Sequence, residues 1–162
     1  MITKENGFTL LEVLVAIVVL SLGLLGLAGL QAASLRNNQV AYYRSIATQQ
    51  AQDIADRMRA NMAGVIAPAD PYTFSGTPAA QDCISGTCSA ALMAQSDANL
   101  WNSANARLLP GGAGAVCMDS TPDDGTPAAP ACDGLGTLRV IKVWWFDKQA
   151  VANQRFVTVF TP

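Results

Sequence analysis

The chain has 162 residues, enough for one globular domain and an additional segment but not for two full domains. Apolar residues make up 51% and charged residues 14%, rich for a soluble protein and lean for a polytopic membrane protein, and a net charge of −2 excludes an overall basic field for nucleic acid. There is no histidine, which removes His-based triads, His-metal sites and the commonest general base.

From Phe8 to Leu30 the sequence is apolar except for Thr9, Glu12, Ser21 and glycines, and Val13–Leu30 carries no charge. About 20 such residues cross a bilayer as a helix. Two bland readings compete with a more specialised one. A secretory signal peptide has a shorter apolar core and a small-x-small cleavage site, for which "LAGLQAAS" would serve, and a simple uncleaved anchor needs no site. The run is long for a signal peptide and continues into a helical pattern, and a lone carboxylate, Glu12, stands near its start just after a Gly-Phe step.

Helical periodicity continues beyond the apolar run. Val40, Tyr43, Ala47, Ala51, Ile54 and Met58 recur at three- and four-residue steps, with Arg44, Gln49, Gln52, Asp56 and Arg59 on other faces. No proline interrupts residues 8–67, so the pattern predicts one helix from near Phe8 to about Met62. Gly23, Gly26 and Gly29 are weak points, each costing about 1 kcal/mol relative to Ala. They fit either small-residue helix packing in a bilayer or a stretch able to unwind. Bases also gather here, with Arg36, Arg44, Arg57 and Arg59 outnumbering Asp53 and Asp56, whereas acids outnumber bases in residues 63–162.

"AGVIAPADPYTFSGTPAAQ" reads as a connecting loop. "CSAALMAQSDANLWNSANARLLPGG" predicts a helix with Met93, Leu100, Trp101, Ala104 and Leu108 on its apolar face, stopped by Pro110 and the glycines after it. "GAVCM" is a short strand candidate and "DSTPDDGTPAAPACDGLG" a loop. "TLRVIKVWWFD" and "RFVTVF" are the strongest strand signals, joined by a polar turn around residues 148–154. The expected fold class is α+β: a long N-terminal helix packed on a C-terminal antiparallel sheet. The C-terminal part is too small for a generous core, so the amphipathic half of the helix is expected to complete it.

Four cysteines allow three disulfide connectivities. Local pairing, Cys83 with Cys88 and Cys117 with Cys132, is favoured because each pair would staple a loop that packing alone cannot fix. A zinc site needs two pairs of thiolates at short spacing, and only Cys83 and Cys88 come close. If the apolar segment exports the rest of the chain, an oxidising compartment favours disulfides. No metal or cofactor is expected. Asp119, Asp123, Asp124 and Asp133 offer oxygen ligands for calcium without the spacing of a known calcium loop, and solvated loop carboxylates are the preferred reading. Trp144, Trp145 and Phe146 are expected to pack in the core, although consecutive strand residues face opposite sides and one could be exposed for binding.

"KENGFTLLEVLVAIVVL" resembles the signal of type IV pilins and pseudopilins: a short polar leader ending in Gly, then Phe-Thr-Leu-Leu-Glu and an apolar helix. The resemblance implies that a prepilin peptidase cuts between Gly7 and Phe8 and methylates the new Phe8 amine, and that Glu12 pairs with the terminal amine of a neighbouring subunit. Such a partner would offset a mid-bilayer carboxylate's cost of about 2.5–3.5 kcal/mol. The leader departs from the usual pattern in carrying a single lysine, Lys4, and the helix lacks the kinking proline of many major pilins. Around Cys83–Cys117, "CISGTC", "LW", "LLPGG" and "VC" are similar to the minor-pilin branch of type IV pilus modification proteins, PilV-like subunits. The implied organisation is a leader over 1–7, a transmembrane half-helix over 8–30, an amphipathic half over 31–62 and a disulfide-stapled domain over 63–162. The implied role is structural, not enzymatic: a minor pilin that helps prime pilus assembly, at the filament tip, with other minor pilins, the major pilin, the inner-membrane assembly platform and in some cases a tip adhesin. It implies insertion in the bacterial inner membrane with the C-terminal domain periplasmic, then display on the cell surface. A type II secretion pseudopilin, or a pilus-borne adhesion or DNA-binding module, would share the architecture.

Overall fold

A computed structural model describes residues 9–148 and 150–161. Its first element, α1, runs unbroken from Leu10 to Ala60. Thr9 opens it, its Oγ1 accepting from the Glu12 backbone N–H at 3.3 Å while its carbonyl accepts the N–H groups of Glu12 and Val13. A hydroxyl in that position satisfies a donor the first helical turn leaves free. The chain divides between Ala41 and Tyr42 into two units. In the first, α1 buries nothing. It continues through Gly23, Gly26 and Gly29, where an added Cβ would meet no atom within 4 Å.

In the second unit α1 becomes a core element. Ala47, Ala51, Ile54, Ala55 and Met58 are buried, and Tyr43 and Ile46 pack against the same cluster. These residues follow the three- and four-residue steps of the sequence pattern, and only Val40 at its start stands exposed. The helix ends at Asn61, whose side chain caps the next element. Its Oδ1 accepts from Gly64 N–H, opening the short helix α2 (Met62–Val65), while Nδ2 donates to the Ala90 carbonyl at 2.8 Å.

After α2 the expected loop holds one short strand, β1 (Phe74–Ser75), too brief for any periodicity to show. Helix α3 (Ala90–Leu108) starts at Ser89, whose Oγ accepts from Leu92 N–H, and ends before Pro110. Its buried face differs from the apolar one expected. Ala94, Asp97, Ala98, Trp101, Asn102 and Asn105 point inward, whereas Leu100 and Leu108 are each 47% exposed and Met93 and Ala104 are half-buried. The physical reason is hydrogen bonding. Asn102 Oδ1 accepts from Gly114 N–H at 2.7 Å and its Nδ2 donates to the Gly114 carbonyl at 3.0 Å and to the Gly76 carbonyl. One side-chain amide thus continues strand pairing where β1 has ended, and Asn102 goes in ahead of the neighbouring leucines.

Strands β2 (Ala113–Met118), β3 (Arg139–Asp147) and β4 (Ala152–Phe160) complete a four-stranded antiparallel sheet in the order β1-β2-β3-β4. The register sets Cys117 opposite Val140, Ala115 opposite Lys142, and Lys142 opposite Val157. Alternation then sorts β3. Ile141, Val143 and Trp145 join Val116, Phe156 and Phe160 in the cluster with α1 and α3. Val140, Lys142 and Trp144 lie on the opposite face and are buried too. Both tryptophans therefore pack inside, one on each side of the sheet, and Phe146 is 36% exposed. The chain between β2 and β3, residues 119–138, supplies the second cover, tied to the sheet by the disulfide Cys117–Cys132.

Candidate assembly site

The apolar half of α1 presents its side chains all round. Leu10, Leu11, Leu14, Val15, Ile17, Val18, Val19 and Leu20 are all exposed, as are Leu22 to Leu30 at their apolar positions. The most hydrophobic 18-residue window of α1 has a mean hydropathy of 2.8 and no buried residue; among the described residues α1 alone is long and apolar enough to cross a membrane. A helix apolar on every side has no core of its own to serve and needs lipid or other helices around it.

Glu12 sits in the first turn of this helix, where the unpaired N–H groups and the helix dipole favour a negative charge. It borders a shallow apolar groove with Val13, Ala16, Ile17 and Leu20. Gly7 and Phe8, where the resemblance places cleavage and methylation, lie outside the described residues. Of the basic residues beyond the apolar run, Arg57 and Arg59 are engaged. Arg57 holds Asp53 at 2.9 Å and Asp97 at 3.2 Å, and Arg59 holds Asp56 at 2.8 Å. Arg36 and Arg44 are exposed.

Asp97 is the hub of a network that sequence reading missed. Tyr72 Oη donates to Asp97 Oδ2 at 2.6 Å, and Asn61 Nδ2 donates to Tyr72 Oη at 3.2 Å. Burial, and then the bond to Asp97, push the Tyr72 hydroxyl well above the ordinary tyrosine range, so it remains a donor. The network joins the end of α1, the β1 approach and α3. Nothing in local sequence marks it, because the partners lie far apart along the chain.

The cysteines form two local disulfides, Cys83–Cys88 and Cys117–Cys132, with Cα separations of 5.5 and 6.1 Å. The first closes an exposed loop pinned by Asp82, which accepts from Ile84 N–H, Ser85 N–H and the Ser85 hydroxyl; that last bond chiefly holds its carboxyl below the usual range.

The acidic loop corrects an expectation. Its carboxylates are not simply solvated. Asp119 is 2% exposed and meets the buried Lys142 ammonium; Asp124 meets the same ammonium at 2.9 Å; Asp123 holds Arg155 at 2.7 Å. Asp133 accepts from the hydroxyl and N–H of Ser120 and from Leu135 N–H, and the Ser120 hydroxyl is the leading cause of its lowered pKa. The cation among the loop's oxygens is thus the chain's own lysine. Among the described residues no group of three or more His, Cys, Asp or Glu side chains is arranged to hold a metal.

Against known proteins, residues 2–28 match the prokaryotic N-terminal methylation motif. No curated protein and no solved structure matches the chain. The motif is the one that type IV pilin- and pseudopilin-type proteins carry, and together with the long apolar helix it points to membrane anchoring. A long helix on a four-stranded antiparallel sheet is the type IV pilin-like α+β arrangement.

Proposed function

We propose that this pilin- or pseudopilin-type protein is a minor pilin, PilV-like, that helps prime type IV pilus assembly at the filament tip. The reading is structural: the chain acts as a subunit and assembly partner rather than a catalyst. Gly7 and Phe8 are the cleavage step, the Phe8 amine is the methylated terminus, and Glu12 is the carboxylate that draws a neighbouring subunit's amine. The leader covers 1–7, the transmembrane assembly half-helix 8–30, the amphipathic half 31–62 and the stapled domain 63–162. The C-terminal domain lies in the periplasm until the subunit enters the filament beside other minor pilins and the major pilin, drawn up by the inner-membrane platform, with room for a tip adhesin.

The observation that carries this reading is the combination of the matched motif with a helix exposed and apolar on every side, interrupted by one carboxylate in its first turn. A bare anchor has no use for that charge, whereas a subunit that must leave lipid for a helix bundle gains a partner-dependent contact. The globular unit supports a tip position through its chemistry. Its long Ala-, Pro- and Gly-rich loops are held to its own domain, 119–138 by the Cys117–Cys132 bridge and the ion pairs to Lys142 and Arg155 and 66–82 by the Asp70–Arg139 pair, and a subunit used at one end of a filament needs only one compatible neighbour.

Mass spectrometry of mature protein, with counting of its copies in purified pili, tests the proposal. A methylated Phe8 at the start, low abundance and sharply reduced piliation on deletion are expected. An intact Met1 in assembled material, or a cut near Ala33, would overturn the pilin role. Abundance equal to the main subunit would overturn the minor one, and loss of protein secretion with normal pili would mark a pseudopilin.

A further inference from the structure

The sheet face opposite the helices holds a buried charge pair. Lys142 stands mid-way along the central strand β3, and Asp119 is the first residue after the adjacent strand β2. Both side chains are 0% exposed, with Nζ 2.5 Å from Asp119 Oδ2. That contact does not meet hydrogen-bond geometry, so Oδ2 is a buried oxygen without a hydrogen-bond donor, whereas Oδ1 accepts from Thr121 N–H at 3.0 Å. Nζ also donates to Asp124 Oδ1 at 2.9 Å and to the Pro130 carbonyl at 2.9 Å. Two residues further along the same face, Trp144 is buried as well.

We propose that Lys142 and Asp119 are the two halves of an intramolecular isopeptide bond, with Asp124 as proton relay. A buried ion pair loses much of its attraction to desolvation, and moving one proton from Nζ to Oδ2 leaves a neutral amine against a neutral carboxylic acid, the reactive forms. Held in contact and away from water, the two have the large effective concentration of a well-oriented intramolecular reaction. The amine lone pair attacks Cγ, and the carbonyl electrons move onto Oδ1, where Thr121 N–H receives the developing charge. Asp124 takes a proton from the nitrogen and returns it to the Oδ2 hydroxyl. The Cγ–Oδ2 bond breaks and one water leaves. The ammonium and the carboxylate have then become one amide and one water, with no oxidant or outside reagent.

Asp124 suits the relay. Its Oδ1 accepts from Lys142 Nζ at 2.9 Å and its Oδ2 accepts from the Thr121 hydroxyl at 2.9 Å, so the carboxylate is held against the nitrogen that must lose the proton. The proposal also gives a use to a lysine buried at a central strand position. The amide would join the end of β2 to the middle of β3 beside the Cys117–Cys132 bridge, so that the 119–138 segment is tied down at two points. Such a cross-link would suit a subunit that must hold its fold under filament tension.

Peptide mapping of the full-length chain, purified from membranes in detergent, reduced and alkylated, decides the matter. Trypsin should fail to cut after Lys142 and should release a branched species joining Leu108–Arg139 to Val140–Lys148, lighter by one water than the two peptides together. The branch distinguishes the amide from dehydration at Asp124–Gly125 or Asp133–Gly134. Lys142→Arg, which keeps a cation in place, should restore the full mass. Asp124→Ala, shown folded by near-UV circular dichroism, should form the bond at least ten times more slowly. Separate peptides with a free Lys142 amine would overturn the bond and leave an ion pair. Undiminished bond formation in Asp124→Ala would overturn the relay.

Discussion

Gly114 and Trp101 form a close approach between the sheet and α3, and they predict a coupled pair of substitutions. A Cβ added at Gly114 would stand 2.2 Å from Trp101 Cη2 and 2.4 Å from Cζ3. The indole cannot retreat: it is fully buried, and its Nε1–H donates to the Gln50 carbonyl of α1 at 2.6 Å. Gly114→Ala should therefore cost about 1–3 kcal/mol, the usual cost of overpacking a filled core. Trp101→Ala should cost about 3–5 kcal/mol through lost burial and the cavity left behind. In the double variant the wedge has gone. The next atom is Asn105 Nδ2 at 2.9 Å, the far end of a side chain that no hydrogen bond holds in place. There Gly114→Ala should cost almost nothing, or stabilise by about 0.5 kcal/mol by stiffening the unfolded chain. The coupling is then about 1–3 kcal/mol. At about 4 °C per kcal/mol for a domain of this size, the single glycine change lowers the melting temperature by about 4–12 °C. Thermal unfolding of the full chain in mild detergent, followed by the fluorescence of Trp144 and Trp145, measures all four corners of the cycle. An equal cost for Gly114→Ala with and without the indole would refute the wedge.

Glu12→Ala should leave membrane insertion intact, since it removes a carboxylate from an apolar helix, yet reduce co-purification with partner pilins; normal pilus number and normal partner recovery would end the charge-pairing role. Removing the Cys117–Cys132 bridge with paired serines should destabilise the globular unit by roughly 3 kcal/mol, the chain-entropy value for a separation of 15 residues, read as a shift in the urea midpoint. Asp133 has a folded pKa below its unfolded one, so its contribution is present above the ordinary carboxylate value of about 4 and is lost as pH falls below it. The difference in melting temperature between the wild type and Asp133→Ala should accordingly be largest near neutrality and close as acid is added; a gap that persists at low pH would contradict the assignment.

Elements that announce themselves by periodicity could be found without a structure. The apolar run with its single carboxylate, the uninterrupted helix through Ala60, and the paired strands β3 and β4 all arise from residues adjacent or one turn apart, because backbone geometry repeats at 3.6 and 2 residues. Two residues of β1 are too few to carry such a period. The buried face of α3 was illegible for a different reason. Leu100 and Leu108 are the more apolar residues, but only Asn102 could satisfy the peptide groups of Gly114 and Gly76, whose need arises when β2 is laid beside a strand that stops short. The interior position of Lys142 was equally hidden. In "RVIKVWW" it falls on the alternate face that a one-sided sheet would leave to water, and it is buried because the 119–138 segment folds back and brings Asp119, Asp124 and the Pro130 carbonyl around its ammonium. Local pattern specifies elements and their apolar stripes. Which polar group goes inside is decided by partners distant in sequence, since only tertiary packing both removes the water and supplies the replacement bonds.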